Sequence, residues 1–172
     1  LKGIGDGDLI GGPKRLANIL CQSLKANNGF NQNDLRSRYL NWWRTGAFDT
    51  GPTFASVFNK IDNGMNFELA DKKVHEDFGF DTAGCGPCHR AIPLAGSIYI
   101  TNGELIKLAK EEAQITHFHD DAGNGSAIVV MLCRYLLENK NLQDSLNLIK
   151  NHEELKVSWS KVENAELNPN GY

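Results

Sequence analysis

The sequence predicts an all-α fold, and three observations carry that expectation. Apolar residues recur at three- and four-residue spacing along most of the chain. No stretch of any length alternates polar and apolar residues with the period of two that a half-buried strand needs. Gly- and Asn-rich breaks separate the apolar segments at helix-length intervals. A chain of 172 residues fits a single domain, residues 1–172, with room for a proper core.

A glycine-rich opening, Leu1 to Gly12, contains Asp6 and Asp8. Pro13 then suits a first helical turn, and Leu16, Ile19, Leu20 and Leu24 give that helix one apolar face before Asn27-Asn28-Gly29 ends it. Asn31 or Asn33 caps a second helix, with Leu35, Tyr39, Trp42 and Trp43 on its buried side. Thr45 to Thr53 reads as a loop holding Asp49 among small residues, followed by a helix from Phe54 to Ile61. After the Asp62-Asn63-Gly64 turn, Phe67 to Phe78 is a shorter, more polar helix. Asp81 to Arg90 is a second polar loop, and Ala91 to Ile100 a helix kinked at Pro93. Glu104 to Ile115 places Leu105, Leu108, Ala109 and Ala113 on one face. Leu142 to Ile149 is amphipathic, and the tail from Val157 to Tyr172 is weakly patterned.

The stretch from Thr116 to Leu137 organises the rest. Ser126 to Leu137 is apolar around most of its circumference, as a helix surrounded by other helices would be. The residues before it include two histidines, two aspartates and the sequence Gly123-Asn124-Gly125, which reads as a bend. The helix should therefore begin at Ser126 and aim its free N–H groups and positive dipole end at an ionisable loop, a place for an anion or a carboxylate-held metal.

Composition narrows the function. Hydrophobic and charged contents of 41 % and 23 % are those of an ordinary soluble protein, and the net charge of −3 argues against nucleic-acid binding through a basic face. No apolar run reaches the roughly 20 residues of a membrane span, and no signal sequence is visible. Four scattered cysteines are not a secreted disulfide framework, so the cytoplasm is the expected compartment.

Three short motifs suggest chemistry. Cys85-Gly86-Pro87-Cys88 is a thioredoxin-type redox tetrapeptide, but such a dithiol needs a strand leading into it and a βαβ surround, and the sequence offers neither. Asp6-Gly7-Asp8 begins like a calcium loop, yet Ile10 and Ala17 occupy two of its ligand positions; what remains is a carboxylate pair suited to a hard divalent cation. His117-Phe118-His119 could ligate zinc in a metallohydrolase barrel, but no βα units accompany it. The Trp42-Trp43 pair reads as core.

Taken in order, the loops resemble the ADP-ribosylglycohydrolase family over nearly the whole chain. The segments that carry the resemblance are RYLNWW followed by FDTGPTF, then GCGPCHRAIPLA, then EAQITHFHDDA leading into the apolar helix. The resemblance implies an orthogonal all-α bundle that uses two Mg²⁺ or Mn²⁺ ions. Its reaction would be hydrolysis of the glycosidic bond between ADP-ribose and a modified protein or small molecule. It implies that Asp49 is the catalytic acidic residue beside the metal–ribose site. Gly51, Gly84, Gly86 and His117 would contact substrate, and Asp6 and Asp8 would bind metal.

This sequence departs from the family pattern at three points. Gly5-Asp6-Gly7-Asp8 stands where the family has Thr-Asp-Asp-Thr, and Cys85 replaces an asparagine. The second metal half-site, Asp-x-Asp-Thr, does not occur, so a chain incomplete at both ends is expected. Two alternatives accompany the hydrolase reading: a non-catalytic ADP-ribose-binding or crystallin-like homologue, and a dithiol oxidoreductase built on Cys85 and Cys88.

Overall fold

The structure, a computed structural model, describes residues 11–164. Among them it contains helices and no strand, as the patterning predicts. The first four are α1 (Gly12–Asn27), α2 (Gln32–Arg44), α3 (Pro52–Asp62) and α4 (Phe67–Asp77). Next come two short turns, α5 (Gly86–Arg90) and α6 (Pro93–Gly96), then α7 (Leu105–Ala113), α8 (Asp120–Leu137), α9 (Leu142–Lys150) and α10 (Lys156–Glu163).

Local chemistry sets the boundaries. Pro13 sits in the first turn of α1, where its missing N–H costs nothing, and Asn28 ends that helix in the left-handed conformation at φ 49°. Asn31 caps α2 by accepting the N–H of Asp34, and Asn66 and Asn141 cap α4 and α9 in the same way. The apolar face of α1, Leu16, Ile19, Leu20 and Leu24, is buried as its spacing requires. Next to it lies an aromatic cluster: Phe54 stacks on Phe58 with centroids 4.4 Å apart, and Trp42 and Trp43 pack on Phe54. Burying each such side chain contributes roughly 1.5–3 kcal/mol. Both tryptophans are therefore spent on packing.

Helix α8 packs against α5, α6, α7, α9 and α10, which makes it the hub expected of the apolar stretch. Its start differs from expectation. The helix begins at Asp120, so Gly123-Asn124-Gly125 is helix interior and not a bend. A Cβ on Gly123 would lie 3.4 Å from Lys110 Cγ on α7, and one on Gly125 would lie 3.4 Å from Cys88 Sγ on α5. The glycines are there because two neighbouring helices press on them, which period counting cannot distinguish from a turn signal. The dipole end of α8 is also satisfied from within: His119 Nδ1 accepts the N–H of Asp121, and Asp120 and Asp121 occupy the first turn. Lys161 of α10 donates to both Asp121 oxygens at 2.8 Å. At its other end the apolar run is not enclosed, since Leu136 and Leu137 are exposed.

Two further expectations shift. Residues 91–100 do not form one kinked helix. Pro93 opens the separate turn α6, and Arg134 of α8 pins this turn and the segment after it by donating to the carbonyls of Ala95, Leu94, Ser97 and Ile100. The tail, read as weakly patterned, contains α10, which buries none of its residues fully and lies against α8 and α9.

Candidate functional site

The loop between α2 and α3 takes an unusual path. Asp49 is a non-glycine residue in the left-handed region at φ 52°, and two residues later Gly51, the N-cap of α3, has φ 73°. Left-handed backbone costs a residue with a side chain about 1–2 kcal/mol, least for Asp and Asn, and it persists only where surroundings hold it. Here α1 holds it. The Gly12 N–H donates to Asp49 Oδ2 at 3.1 Å. A Cβ on Gly12 would fall 2.1 Å from the Asp49 carbonyl oxygen, so only glycine lets the start of α1 lie this close.

The loop before α5 faces the same space. Cys85 caps α5 without a side-chain bond, and Gly84 and Gly86 lie against the edge of the His117 ring. A Cβ on either would come 3.3 Å from the imidazole, at Nε2 for Gly84 and at Cε1 for Gly86. Together with Pro13, Thr50, Pro52, Thr53, Phe54 and His89, these residues line a cavity of about 480 Å³. That size suits a small-molecule ligand. Asp49, Gly51, Gly84, Gly86 and His117, far apart in the sequence, all border it. The helix N-termini at the cavity belong to α1, α3 and α5, not to α8 as the sequence suggested. Asp6 and Asp8 lie outside the described residues.

Behind the cavity lies a buried polar network that sequence reasoning missed. Arg90 Nε donates to Glu112 Oε1 at 2.6 Å, and both side chains are at most 2 % exposed. The Tyr39 hydroxyl donates to the same carboxylate oxygen at 2.9 Å. Burial, reinforced by that carboxylate, pushes the Tyr39 phenol well above its usual range. Arg90 Nη2 donates to Thr116 Oγ1 at 2.9 Å, and Thr116 Oγ1 is 2.7 Å from His117 Nδ1. Burial, with the Arg90 cation nearby, lowers the His117 pKa to about 3, so its ring is neutral at physiological pH.

The wider hollow between α1 and α2, about 580 Å³, is less suited to a ligand. Its Asp34 is already engaged by Arg38 and Ser23, each at 2.6 Å.

A sequence comparison identifies the chain: residues 15–170 match the family described as ADP-ribosylglycohydrolase. The chain belongs to this family. It is an all-α family member, and the family's general activity is ADP-ribosyl glycohydrolysis. No curated protein matches the chain. Among the described residues no strand frames Cys85 and Cys88.

The family's divalent ion needs oxygen donors, and the cavity supplies few. Among the described residues Asp49 is the one carboxylate bordering it, and one of its oxygens already accepts the Gly12 N–H. Among the described residues no group of three or more His, Cys, Asp or Glu side chains could hold a metal. The described residues alone do not fit a resident Mg²⁺ or Mn²⁺. No helix among them is long and apolar enough to cross a membrane.

Proposed function

We propose that this chain hydrolyses the glycosidic bond joining ADP-ribose to a modified protein side chain or a small molecule. The observation that carries the reading is the shared cavity of Asp49, Gly51, Gly84, Gly86 and His117. Its chemistry suits a sugar diphosphate. Bare backbone at Gly51, Gly84 and Gly86 lets anionic oxygens approach N–H groups without a side chain in the way, and the α3 N-terminus adds a favourable dipole. Asp49, held by Gly12, presents a carboxylate beside the ribose. Cleavage of a glycosidic bond passes through an oxocarbenium-like state, and a fixed carboxylate next to the anomeric carbon offsets its positive charge. His117 is neutral and supplies a ring nitrogen to the ligand.

Dependence on Mg²⁺ or Mn²⁺ is part of this proposal. It rests on the family's general use of divalent metal and on the Asp6–Asp8 pair in the sequence. A cytoplasmic setting and an ADP-ribosylated protein partner belong to the same proposal.

The test is release of ADP-ribose from ADP-ribosyl-arginine and ADP-ribosyl-serine peptides with Mg²⁺, for wild type and Asp49→Ala. Release from either peptide that Asp49→Ala lowers at least about ten-fold supports the reading. No release from either, with calorimetric binding of ADP-ribose that is indifferent to Mg²⁺, would replace it with a non-catalytic binder. Cys85→Ser should leave release largely intact; loss of release together with insulin-reducing activity in wild type would favour dithiol chemistry.

A further inference from the structure

We infer that Arg90, Thr116 and Glu112 form a relay that fixes His117 as its Nε2–H tautomer, aiming one neutral donor into the cavity at an oxygen acceptor of the ligand. The inference rests on the functional reading of the cavity only for the identity of that acceptor.

The tautomer is set by the count of protons along the relay. An arginine guanidinium carries donors only. Arg90 Nη2, 2.9 Å from Thr116 Oγ1, therefore donates to that oxygen. The Thr116 hydroxyl has one proton left to place, and His117 Nδ1 lies 2.7 Å away. If Nδ1 carried the hydrogen, it and Arg90 would both donate to Thr116, stranding a hydroxyl proton on a residue with no solvent exposure. If Nδ1 is the acceptor, the Thr116 hydroxyl proton has a partner, and the ring hydrogen goes to Nε2.

Glu112 fixes the start of the chain. Its Oε1 takes Arg90 Nε at 2.6 Å, and its own carbonyl takes Nη2 at 3.3 Å, so the guanidinium cannot turn away from Thr116. Nε2 lies at the cavity end of the ring. It is the imidazole atom nearest a Cβ on Gly84, and it makes no hydrogen bond to the described residues. The residue is 5 % exposed, so the donor is preoriented and little hydrated. Charge logic agrees: a second cation next to buried Arg90 is disfavoured, so the ring meets the ligand as a neutral donor.

His117 therefore cannot serve as a proton acceptor at the cavity, because Nε2 already bears a hydrogen and Nδ1 is occupied by Thr116. It selects an acceptor, such as a diphosphate or ribose oxygen, and disfavours a donor in the same position. Arg90, Thr116 and Glu112 are positioning residues: they act through His117.

The experiment is long-range ¹H–¹⁵N NMR on the protein with ¹⁵N-labelled histidine, the His117 signals being assigned with His117→Gln. Wild type should show the Nε2–H pattern between about pH 5 and 8. Thr116→Val, which keeps the shape and removes the hydroxyl, should leave Nδ1 without its donor, moving the Nδ1 ¹⁵N resonance toward that of a non-hydrogen-bonded imidazole nitrogen, and should weaken ADP-ribose binding because the ring is no longer held. Thr116→Ser should retain both the resonance and the binding. An Nδ1–H or doubly protonated ring in wild type, which needs no variant to fold, would overturn the inference. A folded Thr116→Val with an unchanged Nδ1 resonance would do the same. Failure of wild type to bind ADP-ribose would instead count against the functional reading, since the NMR result stands apart from any ligand.

Discussion

Replacing Arg90 by methionine tests the buried network most directly. Arg90 and Glu112 have side-chain exposures of 2 % and 0 %, and the guanidinium reaches the carboxylate, the Glu112 carbonyl and Thr116. Methionine fills much of the same volume and carries no charge. The variant keeps a carboxylate in the core with only the Tyr39 hydroxyl donating to it. Breaking a buried pair in this way costs about 3–5 kcal/mol. That is a large part of the roughly 5–15 kcal/mol that holds a domain together. For a chain of this size it corresponds to a fall in Tm of about 6–20 °C.

Urea unfolding followed by tryptophan fluorescence reads the loss, because Trp42 and Trp43 pack on Phe54 beside the network. Arg90→Met with Glu112→Leu should recover part of the stability, since no buried charge is then stranded. A deficit under about 1 kcal/mol would refute the reasoning.

Three further outcomes are expected. The His117 pKa, about 3 in the folded chain, is below the ordinary value of about 6.5, so the unfolded state binds a proton that the folded state refuses. Stability should therefore fall as pH drops from about 6.5 toward 3, by about 2 kcal/mol at pH 5, and His117→Gln should remove that component from denaturation curves at pH 7 and 5. Gly12→Ala would put a Cβ 2.1 Å from the Asp49 carbonyl oxygen; it should cost about 1–3 kcal/mol in urea melts and reduce ADP-ribose release more than it reduces stability at assay temperature. Treatment with EDTA should abolish release, and added Mg²⁺ or Mn²⁺ should restore it; release that survives exhaustive chelation would remove the metal from the proposed reaction.

Much of the fold was legible because its helices are amphipathic and end in conventional caps. Leu16, Ile19, Leu20 and Leu24 read as a buried face and are one, and Asn31 caps α2 through its side chain. The start of α8 was not legible because Gly123 and Gly125 obey a tertiary demand, close contact with Lys110 and Cys88, which a linear sequence cannot display. For the cavity, the loops were legible as ordered motifs, and Asp49, Gly51, Gly84, Gly86 and His117 do border one space. Their supports were not. Glu112 did leave a trace: it falls seven residues after Leu105 and three after Ala109, on the apolar side of α7, where a lone carboxylate signals a buried partner. Arg90 and Thr116 fall inside the segments GCGPCHRAIPLA and EAQITHFHDDA that carry the resemblance, but nothing in spacing says that residues from three helices and a loop will meet.

The glycines at the cavity, Gly51, Gly84 and Gly86, and Gly12 behind Asp49 bear on how this protein should be dissected. Truncating side chains to alanine, the usual survey, probes Asp49, Phe54 and His117 but removes nothing at a glycine. Such a scan would read the side-chain part of the binding face and pass over the rest. Substitutions that add atoms, glycine to alanine or to serine, are the ones that would map it, and their effects should rank with the clearance at each added Cβ: Gly12 first, then Gly84 and Gly86.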